Sequence, residues 1–517
     1  MSRLSLPYYY TRGGSKFEPT ESFLEASTVV YTNVDKFENV GIPLAQIDYD
    51  TYATSGEEKH CFVIGETGCG KTRRVIFPTI RLMAKAGESM VISDPKGELY
   101  RQTADSLRKK GYVVNILNFR KPRCGDRWNP LGMIEKLYKS DDIEDKDKAA
   151  LMINDLISII STKYQNNQDD TYWLSSAQDI FRAVTSIILD YGKDGELTFE
   201  NIFLTATRVH QAISARYILG KEKNIKMFID QLPDDSDIKQ NLAPILKNAE
   251  STRNCIIAFF RTLVSDFCNQ ELLNDMLSKT EIDIESIGLR PTALFIVLPD
   301  DSDSMYPIAT CLIKQIYSSL VAIADSQKNG QLPNKVTFLL DEFANFAKIP
   351  AMHAMLTAAR SRKIRFVLVC QSMEQLIEKY KESGMEILIS NCRTWLYMNC
   401  RNLPFLRRLE ELAGSYTSPY TGERCPLVDI GTLQHFSMGQ VLIFNDRCRP
   451  VLGFIDDYSK YDFGEDGPGE IIEMPEPHPI IERSRFSLDD IAKEHIVIDP
   501  PPERPFDTNP FAPPSDN

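Results

Sequence analysis

The sequence predicts an α/β fold with a predominantly parallel sheet, interrupted by an inserted all-α domain. Three observations support this prediction. Short, continuous apolar runs alternate with helical patterns in two separate stretches, as is typical of parallel strands buried on both faces. Between these stretches, from Ile134 to about Ser286, amphipathic helical patterns follow one another almost without strands. The chain has 517 residues, which is enough for two or three domains.

These observations divide the chain into five parts. They are an N-terminal extension (1–58), the first part of the α/β domain (59–134), the all-α insertion (135–290), the second part of the α/β domain (291–463) and a C-terminal tail (464–517). The tail holds 13 acidic and 4 basic side chains and 11 of the 29 prolines. Such a composition buries too little apolar surface to offset the entropy of ordering. We therefore expect a disordered tail, except for a short helical pattern at Ser487–Lys493.

The individual elements follow this division. The extension shows two strand-like pieces, at Thr28–Thr32 and Val40–Leu44. The first part of the α/β domain contains three strand patterns, at Cys61–Ile64, Met90–Ser93 and Tyr112–Leu117, and one helix pattern, at Lys71–Ala86. The insertion contains helix patterns at Lys146–Ser161, Trp173–Tyr191, Phe199–Ala206, Asp237–Phe267 and Leu272–Leu277. Strand patterns resume at Ala293–Leu298, Val336–Leu340, Arg365–Val369, Trp395–Asn399 and Val441–Phe444.

Composition excludes several classes of protein. The formal net charge is −13, and most of it lies in the tail, so the rest of the chain is close to neutral. This balance excludes a protein that coats nucleic acid through bulk charge, and any nucleic-acid contact must come from local patches such as a channel. The 11 cysteines include no CxxC pair, which favours reduced thiols over zinc or disulfides. We see neither a signal peptide nor a stretch approaching about 18 apolar residues, so we expect a cytoplasmic protein.

The strongest functional signal is a complete GxxxxGK[ST] motif, formed by Gly65, Glu66, Thr67, Gly68, Cys69, Gly70, Lys71 and Thr72. It follows an apolar strand pattern and precedes a helix pattern. In such a phosphate loop the glycines allow backbone N–H groups to point at phosphate oxygens. The lysine reaches the β- and γ-phosphates, and the threonine hydroxyl is a ligand of Mg²⁺. The sequence therefore predicts that the chain binds ATP with Mg²⁺.

Two acids and a glutamine follow neighbouring strand patterns. Asp341 and Glu342 come directly after the strand pattern Val336–Leu340. Burying two acids at the end of a strand is unfavourable unless they have a task at the carboxyl edge of the sheet, where ligands bind. We predict that Asp341 holds the Mg²⁺ water shell and that Glu342 polarises the attacking water. Gln371 ends the next strand pattern, Arg365–Cys370, where it is placed to sense the γ-phosphate.

Two weaker signals lie elsewhere in the α/β domain. Residues 360–365 contain four cations, which form either a solvated turn or an arginine finger that reaches a neighbouring subunit's γ-phosphate. Arg360 is our choice for the finger. The sequence Asp94–Glu98 (DPKGE) ends the second strand pattern, and Asp94 and Lys96 are candidates for lining the nucleotide site, whereas turn chemistry alone explains its proline and glycine.

In this order, the motifs resemble those of the type IV secretion coupling proteins, which are TraG/TraD-like conjugation ATPases of the FtsK/HerA class. The matching segments are GETGCGKT (65–72), SDPKGELY (93–100), WNPLGMI (128–134), LLDEFANFAKIP (339–350) and VCQS (369–372). The resemblance covers about residues 60–455. The DPKGE and DEFANFAKIP segments make it more specific than an isolated phosphate loop.

The resemblance implies a RecA-like P-loop NTPase domain with an all-α domain inserted after the WNP segment. It also implies Mg²⁺-dependent ATP hydrolysis in a homo-hexamer, with nucleotide sites between subunits and a central channel for DNA. Proteins of this family recruit a relaxase bound to single-stranded DNA and pass the strand to the type IV secretion channel. The resemblance assigns phosphate binding to Lys71 and metal binding to Thr72 and Asp341. It assigns water activation to Glu342, the arginine finger to Arg360 and the γ-phosphate sensor to Gln371.

The sequence departs from this family at its beginning, because most members start with a pair of transmembrane helices. We expect that a separate membrane partner recruits the protein to the inner face of the cell membrane; a soluble variant or a shortened chain would also explain the difference. Two alternative functions stay open. One is a soluble HerA/FtsK-like DNA motor in DNA processing or defence, and the other is a nucleotide-gated adaptor for protein substrates.

Overall fold

The structure is a computed structural model that describes residues 14–56, 59–164, 171–214, 220–299, 301–464 and 467–496. Its strands, numbered in chain order, are β1 (Thr28–Tyr31), β2 (Pro43–Asp48), β3 (Thr51–Thr54), β4 (Cys61–Gly65), β5 (Ser89–Ser93), β6 (Val113–Asn118), β7 (Thr292–Val297), β8 (Val336–Leu340), β9 (Ile364–Cys370), β10 (Thr394–Asn399), β11 (Ser415–Thr417), β12 (Arg424–Pro426), β13 (Gln440–Asn445) and β14 (Val451–Phe454).

The helices of the first half are α1 (Thr20–Glu25), α2 (Phe77–Ala86), α3 (Glu98–Lys109), α4 (Gly132–Tyr138), α5 (Ile143–Ile160), α6 (Thr171–Tyr191), α7 (Phe199–Ser214), α8 (Lys221–Gln231), α9 (Asp237–Asn241), α10 (Ala243–Leu246) and α11 (Glu250–Cys268). Those of the second half are α12 (Glu271–Met276), α13 (Ser286–Leu289), α14 (Tyr306–Ser326), α15 (Met352–Ala359), α16 (Met373–Asn391), α17 (Leu403–Ala413), α18 (Ile430–Gln434) and α19 (Leu488–His495).

A nine-stranded sheet in the order β14-β13-β10-β4-β9-β8-β5-β7-β6 forms the centre of the molecule. The seven strands from β10 to β6 are parallel, and β13 and β14 add an antiparallel edge. Every residue of β4, β5, β7, β8 and β9 is buried, because an apolar core covers each face of the sheet. The expected predominantly parallel sheet is therefore confirmed. Its strand order places β9 between β4 and β8.

The inserted helices α4–α13 stand between β6 and β7. They form a packed block in which α6 contacts α9 and α11, while α5 contacts α14 of the α/β domain. The single helix expected at Asp237–Phe267 is wrong, because this stretch forms α9, α10 and α11. Pro244 stands at the start of α10 and lacks the N–H group that a helix interior requires. Ala249 is extended (φ −63°, ψ 157°) and separates α10 from α11.

The N-terminal extension forms a three-stranded antiparallel sheet, β1-β3-β2, that packs beside β14 and α2. A buried arginine attaches it to the central sheet. The Arg365 guanidinium donates hydrogen bonds to the carbonyl oxygens of Val40 (2.7 Å) and Gly56 (3.0 Å) and forms an ion pair with the buried Glu88. Arg365, one of the four cations in the 360–365 segment, is therefore a structural residue.

The tail differs most from expectation. We expected disorder, but residues 467–496 lie as an extended strap along the body of the protein. On the α/β domain, Pro468 accepts a hydrogen bond from Arg81, and the backbone N–H of Ile472 donates to the carbonyl of Arg101 (2.9 Å). The strap then passes Gly97, where the Met474 side chain lies over the backbone. These contacts satisfy backbone groups that a disordered segment would leave to water.

The second half of the strap lies on the insertion. Arg483 forms ion pairs with Glu200 and Glu271, both at 2.8 Å. Leu488 and Ala492 of α19 are buried against the insertion, where α19 packs on α8. The helix expected at Ser487–Lys493 is thus present. The tail is ordered here, against expectation, because a few well-placed apolar and charged side chains anchor a segment whose average composition is that of a disordered one. Residues 497–517 lie outside the described part.

One helix among the described residues, α14, is long and apolar enough to cross a membrane by length and composition. Its most apolar window is 67% buried inside the protein. It covers one face of the central sheet, and its apolar residues belong to the core on that face. The expectation that the chain has no stretch of this length and apolarity is therefore wrong. The apolar composition of α14 is explained by its burial in the core.

Candidate active site

The phosphate loop lies at the carboxyl edge of the sheet, between the end of β4 and the helix that follows. Gly68 (φ 84°) and Gly70 (φ 93°) both have left-handed backbone conformations, which other residues adopt only with strain. A Cβ atom at Gly68 would meet nothing within 4 Å, so the backbone conformation is what requires glycine there. After the loop, Thr72 begins a π-helical turn, Thr72–Ile76, that continues into α2. The free N–H groups at the start of this helix therefore face the loop.

Lys71 is buried inside this loop, with 7% of its surface exposed. Its Nζ donates hydrogen bonds to the carbonyl oxygens of Gly65 and Glu66, the latter at 3.1 Å. Both partners are neutral, and a buried ammonium without a hydrogen-bonded counter-ion favours an anion beside it. The loop, its helix N-terminus and Lys71 thus fit a polyphosphate.

The remaining side chains of the motif hold the loop in place. Glu66 accepts a hydrogen bond from the backbone N–H of Arg401 (2.5 Å), and its own N–H donates to the carbonyl of Asn399 (2.8 Å) at the end of β10. The Cys69 sulfur packs against Gly65, and burial raises the pKa of its thiol, so it is an inert packing group. A cavity of about 310 Å³ opens between the loop, β9 and β10.

Two buried carboxyls lie beside the loop at the ends of neighbouring strands. Asp341 follows β8 and Asp94 follows β5. Burial and the neighbouring Glu342 raise the pKa of Asp341 to about 7, although Lys71 opposes this shift. Burial raises the pKa of Asp94 to about 6, and its Oδ1 has no hydrogen-bond partner among the described residues. A cation bound beside these two carboxyls would stabilise their ionised forms, so the pair is suited to a cation site.

The chemistry of these donors suits Mg²⁺. The described residues contain no group of three or more His, Cys, Asp or Glu side chains that would hold a metal by themselves. Mg²⁺ keeps most of its waters and binds through one or two protein groups together with phosphate oxygens. The hydroxyl of Thr72 and the carboxyl of Asp341 are the residues that would hold it.

Glu342 is connected to the phosphate loop by a chain of hydrogen bonds through Gln371. The Thr67 hydroxyl donates to Gln371 Oε1 (2.8 Å), and Gln371 Nε2 donates to Glu342 Oε1 (2.9 Å). Since β9 lies between β4 and β8, the strand that ends in Gln371 sits between the loop and the acids. The structure therefore links Glu342 and Gln371 by hydrogen bonds to the phosphate loop in which Lys71 is buried.

One polar contact in this site was not anticipated from the sequence. Asn345 Nδ2 donates to the second carboxylate oxygen of Glu342, Oε2, at 2.9 Å. Glu342 itself has a left-handed backbone conformation (φ 53°, ψ 40°), which is rare for a residue other than glycine and costs about 1–3 kcal/mol. An amide three residues after the glutamate is the only sequence signal for this contact.

The structure does not bring Arg360 to this place. Arg360 precedes β9, whereas Gln371 follows it, so the two stand at opposite edges of the sheet. The length of β9 puts roughly 20 Å between them. The Arg360 guanidinium has no hydrogen-bond or ion-pair partner among the described residues, whereas Arg362 pairs with Asp325 (3.0 Å). Within one chain Arg360 cannot reach the loop.

Comparisons with known proteins show the family to which the chain belongs. A family model described as "Type IV secretory system Conjugative DNA transfer" matches residues 19–421. The protein VirD4 of Rhizobium radiobacter is 23% identical over 385 residues, which are 71% of this chain and 50% of VirD4. The conjugal transfer protein TraG of Escherichia coli is 25% identical over 397 residues, or 70% of this chain and 56% of TraG. The chain thus spans about half the length of these curated relatives.

Solved structures of the plasmid coupling protein TrwB have the same fold. The structure with the ATP analogue ADPNP matches with a TM-score of 0.60 and 15% identity, covering 92% of this chain and 98% of TrwB. The structure with ADP and Mg²⁺ matches with a TM-score of 0.57 at the same identity and coverage. This likeness confirms the expected RecA-like P-loop NTPase fold with its inserted helical domain. With a family model matched over most of its length, the chain belongs to the family of type IV secretory system conjugative DNA transfer proteins.

Proposed function

We propose that this protein is an ATP-hydrolysing coupling protein that recruits a DNA–relaxase substrate and feeds it to a type IV secretion channel. The observation that carries the proposal is the hydrogen-bond chain from Thr67 of the phosphate loop through Gln371 to Glu342. A protein that only binds nucleotide needs the loop but has no use for an acid linked to it. Family membership adds the conjugative context.

Each side chain of the site has a distinct role in this proposal. The Lys71 ammonium holds the β- and γ-phosphate oxygens, which replace the loop carbonyls as its partners. When bound through Thr72 and Asp341, Mg²⁺ supplies charge neutralisation across the same phosphates. Glu342 accepts the proton of the attacking water, and Gln371 relays loss of the γ-phosphate to Glu342 through their shared hydrogen bond. Arg360 of a second copy completes the charge stabilisation.

Membership of the conjugative DNA transfer family supports a proposal for the partners. TraG is named a conjugal transfer protein and TrwB a plasmid coupling protein, and we infer that single-stranded DNA, a relaxase and the components of the secretion channel are the partners of this chain. We propose a homo-hexamer in which Arg360, at the edge of the sheet opposite to its own phosphate loop, acts on the nucleotide of another copy. We propose that the protein works at the inner face of the cell membrane.

The direct test is ATP hydrolysis by the purified chain with and without single-stranded DNA. We expect Mg²⁺-dependent hydrolysis that DNA stimulates. Lys71→Ala should abolish hydrolysis because it removes the ammonium at the phosphates. Lys223→Ala, an exposed lysine of α8 far from the loop, is the matched control and should leave the rate unchanged. Nucleotide binding without hydrolysis would favour the nucleotide-gated adaptor, and hydrolysis that no DNA affects would contradict translocation.

A further inference from the structure

Asn345 is a polar residue of the site to which the proposed reaction assigns no role. It ends the short 3₁₀ turn Phe343–Asn345 that follows Glu342. Its backbone N–H donates to the carbonyl of Glu342 (2.8 Å), and its side-chain Nδ2 donates to Glu342 Oε2 (2.9 Å). Two hydrogen bonds thus join the same pair of residues, so the amide is held at the carboxylate by the turn itself.

The two amides hold the carboxylate from both ends. Gln371 Nε2 donates to Oε1 and Asn345 Nδ2 donates to Oε2, each at 2.9 Å. With one donor on each oxygen, rotation of the carboxylate about its last bond would break two hydrogen bonds. A carboxylate offers about four lone-pair positions, so two remain for water. Oε1 is the oxygen linked through Gln371 to the phosphate loop.

Glu342 needs such a restraint because its backbone is in the left-handed region, so the chain around it is not in a relaxed conformation. A general base must stay within hydrogen-bond reach of the water it activates.

We propose that Asn345 is a positioning residue for Glu342: its amide fixes Oε2, so that Oε1 stays directed toward the phosphate loop. The inference rests on the proposed function, because it assumes that Glu342 is the base. Asn345 does not touch the phosphates in this arrangement. Its effect therefore appears in the rate of the chemical step, and nucleotide affinity stays the same.

The first part of the test separates positioning from binding and folding. Asn345→Ala and the isosteric Asn345→Asp, which lacks the N–H donor, are compared with wild type for kcat, KM, affinity for a fluorescent ATP analogue and Tm. We expect kcat to fall roughly 10- to 100-fold in both variants, with KM and affinity unchanged. Asn254→Ala, which removes an amide bonded to His210 in the insertion, is the control and should change none of these values.

The second part asks whether Asn345 acts through Glu342. In single-turnover measurements, Asn345→Ala should have little further effect when Glu342→Gln is already present, because the group that it positions is gone. An equal loss of rate in both backgrounds, or an unchanged kcat in both Asn345 variants, would overturn the positioning role. If Glu342→Gln alone hydrolyses ATP at the native rate, Glu342 is not the base; that result overturns the proposed mechanism and is distinct from a failure confined to Asn345.

Discussion

His60 is buried immediately before β4, and both nitrogens of its ring are hydrogen-bonded. Nε2 bonds to the carbonyl oxygen of Leu356 (2.7 Å), which accepts only, so this nitrogen carries the proton. Nδ1 accepts from the backbone N–H of Phe366 (3.0 Å). The neutral ring is therefore fully satisfied. Burial lowers the pKa of His60 to about 4, and the nearby Arg365 adds to this shift.

This histidine predicts a pH-dependent contribution to stability. Its pKa in the folded protein lies below the ordinary value of about 6.5, so an unfolded chain binds the proton first as the pH falls. The neutral ring contributes about 3 kcal/mol to the free energy of unfolding above pH 6.5. This contribution is lost as the pH falls from about 6.5 to 4. Asp94 and Asp341, whose pKa values are raised, change stability in the opposite direction over the same range.

The test therefore compares the free energies of unfolding of two proteins that differ only at His60. The free energy of unfolding of the wild type is compared with that of His60→Gln, which keeps a donor toward Leu356, from pH 7.5 to 4. The two acids contribute equally to both proteins and cancel. We expect the difference between the proteins to shrink by about 3 kcal/mol toward low pH. A difference that is independent of pH would contradict the neutral, buried ring.

At the same scale, the positions of site residues were predictable where a motif dictates them. The spacing of the glycines, Lys71 and Thr72 is that of a phosphate loop, and the acids Asp341 and Glu342 at a strand end gain their meaning from that loop. The contact of Asn345 with Glu342 was not predictable. Its contact depends on the left-handed conformation of Glu342, which no local sequence pattern specifies. Arg365 likewise resembles its basic neighbours in sequence, and only strand pairing buries it.

The tail strap is the element whose removal should matter most. A chain that ends at Phe463 loses the burial of Phe486 and Leu488 and the two ion pairs of Arg483. Each buried side chain of this size contributes roughly 1.5–3 kcal/mol. We expect a Tm several degrees lower and faster proteolysis at the junction of the two domains. A chain that ends at Ile496 keeps these contacts and is the control; equal melting of the two would contradict the strap.

At the level of elements, strands and helices with a strong period were predictable, and the exceptions have physical causes. The central strands are continuous apolar runs, because both of their faces are covered. Outside α19 the strap has no helix or strand period, since its anchors at Met474 and Arg483 fit features of other elements. The composition of a whole segment does not reveal such single anchoring residues. The break between α10 and α11 was also missed, because no glycine or proline marks it in the sequence.

At the scale of the whole molecule, Arg360 predicts an active site shared between copies. Arg360→Ala should bind ATP normally, since the phosphate loop is intact, yet hydrolyse it roughly 10³-fold more slowly. Wild-type activity should rise more than linearly with protein concentration. A mixture of Arg360→Ala with Lys71→Ala should regain activity, because some interfaces pair an intact loop with an intact finger.

Arg362→Ala is the matched control for this experiment, because that arginine lies two residues away and is paired with Asp325. We expect it to affect hydrolysis only slightly, as surface ion pairs contribute about 0–1 kcal/mol. Full activity of Arg360→Ala would show that another group completes the site.

In the proposed function, Glu342 is the group that turns nucleotide binding into hydrolysis. The most direct measurement compares wild type with Glu342→Gln for ATP affinity and DNA-stimulated turnover in the same preparation, with the exposed Glu382→Gln of α16 as control. We predict that Glu342→Gln binds ATP as tightly as wild type but turns it over roughly 10²- to 10⁴-fold more slowly, because only the proton acceptor is lost. Turnover at the native rate by Glu342→Gln would contradict the account.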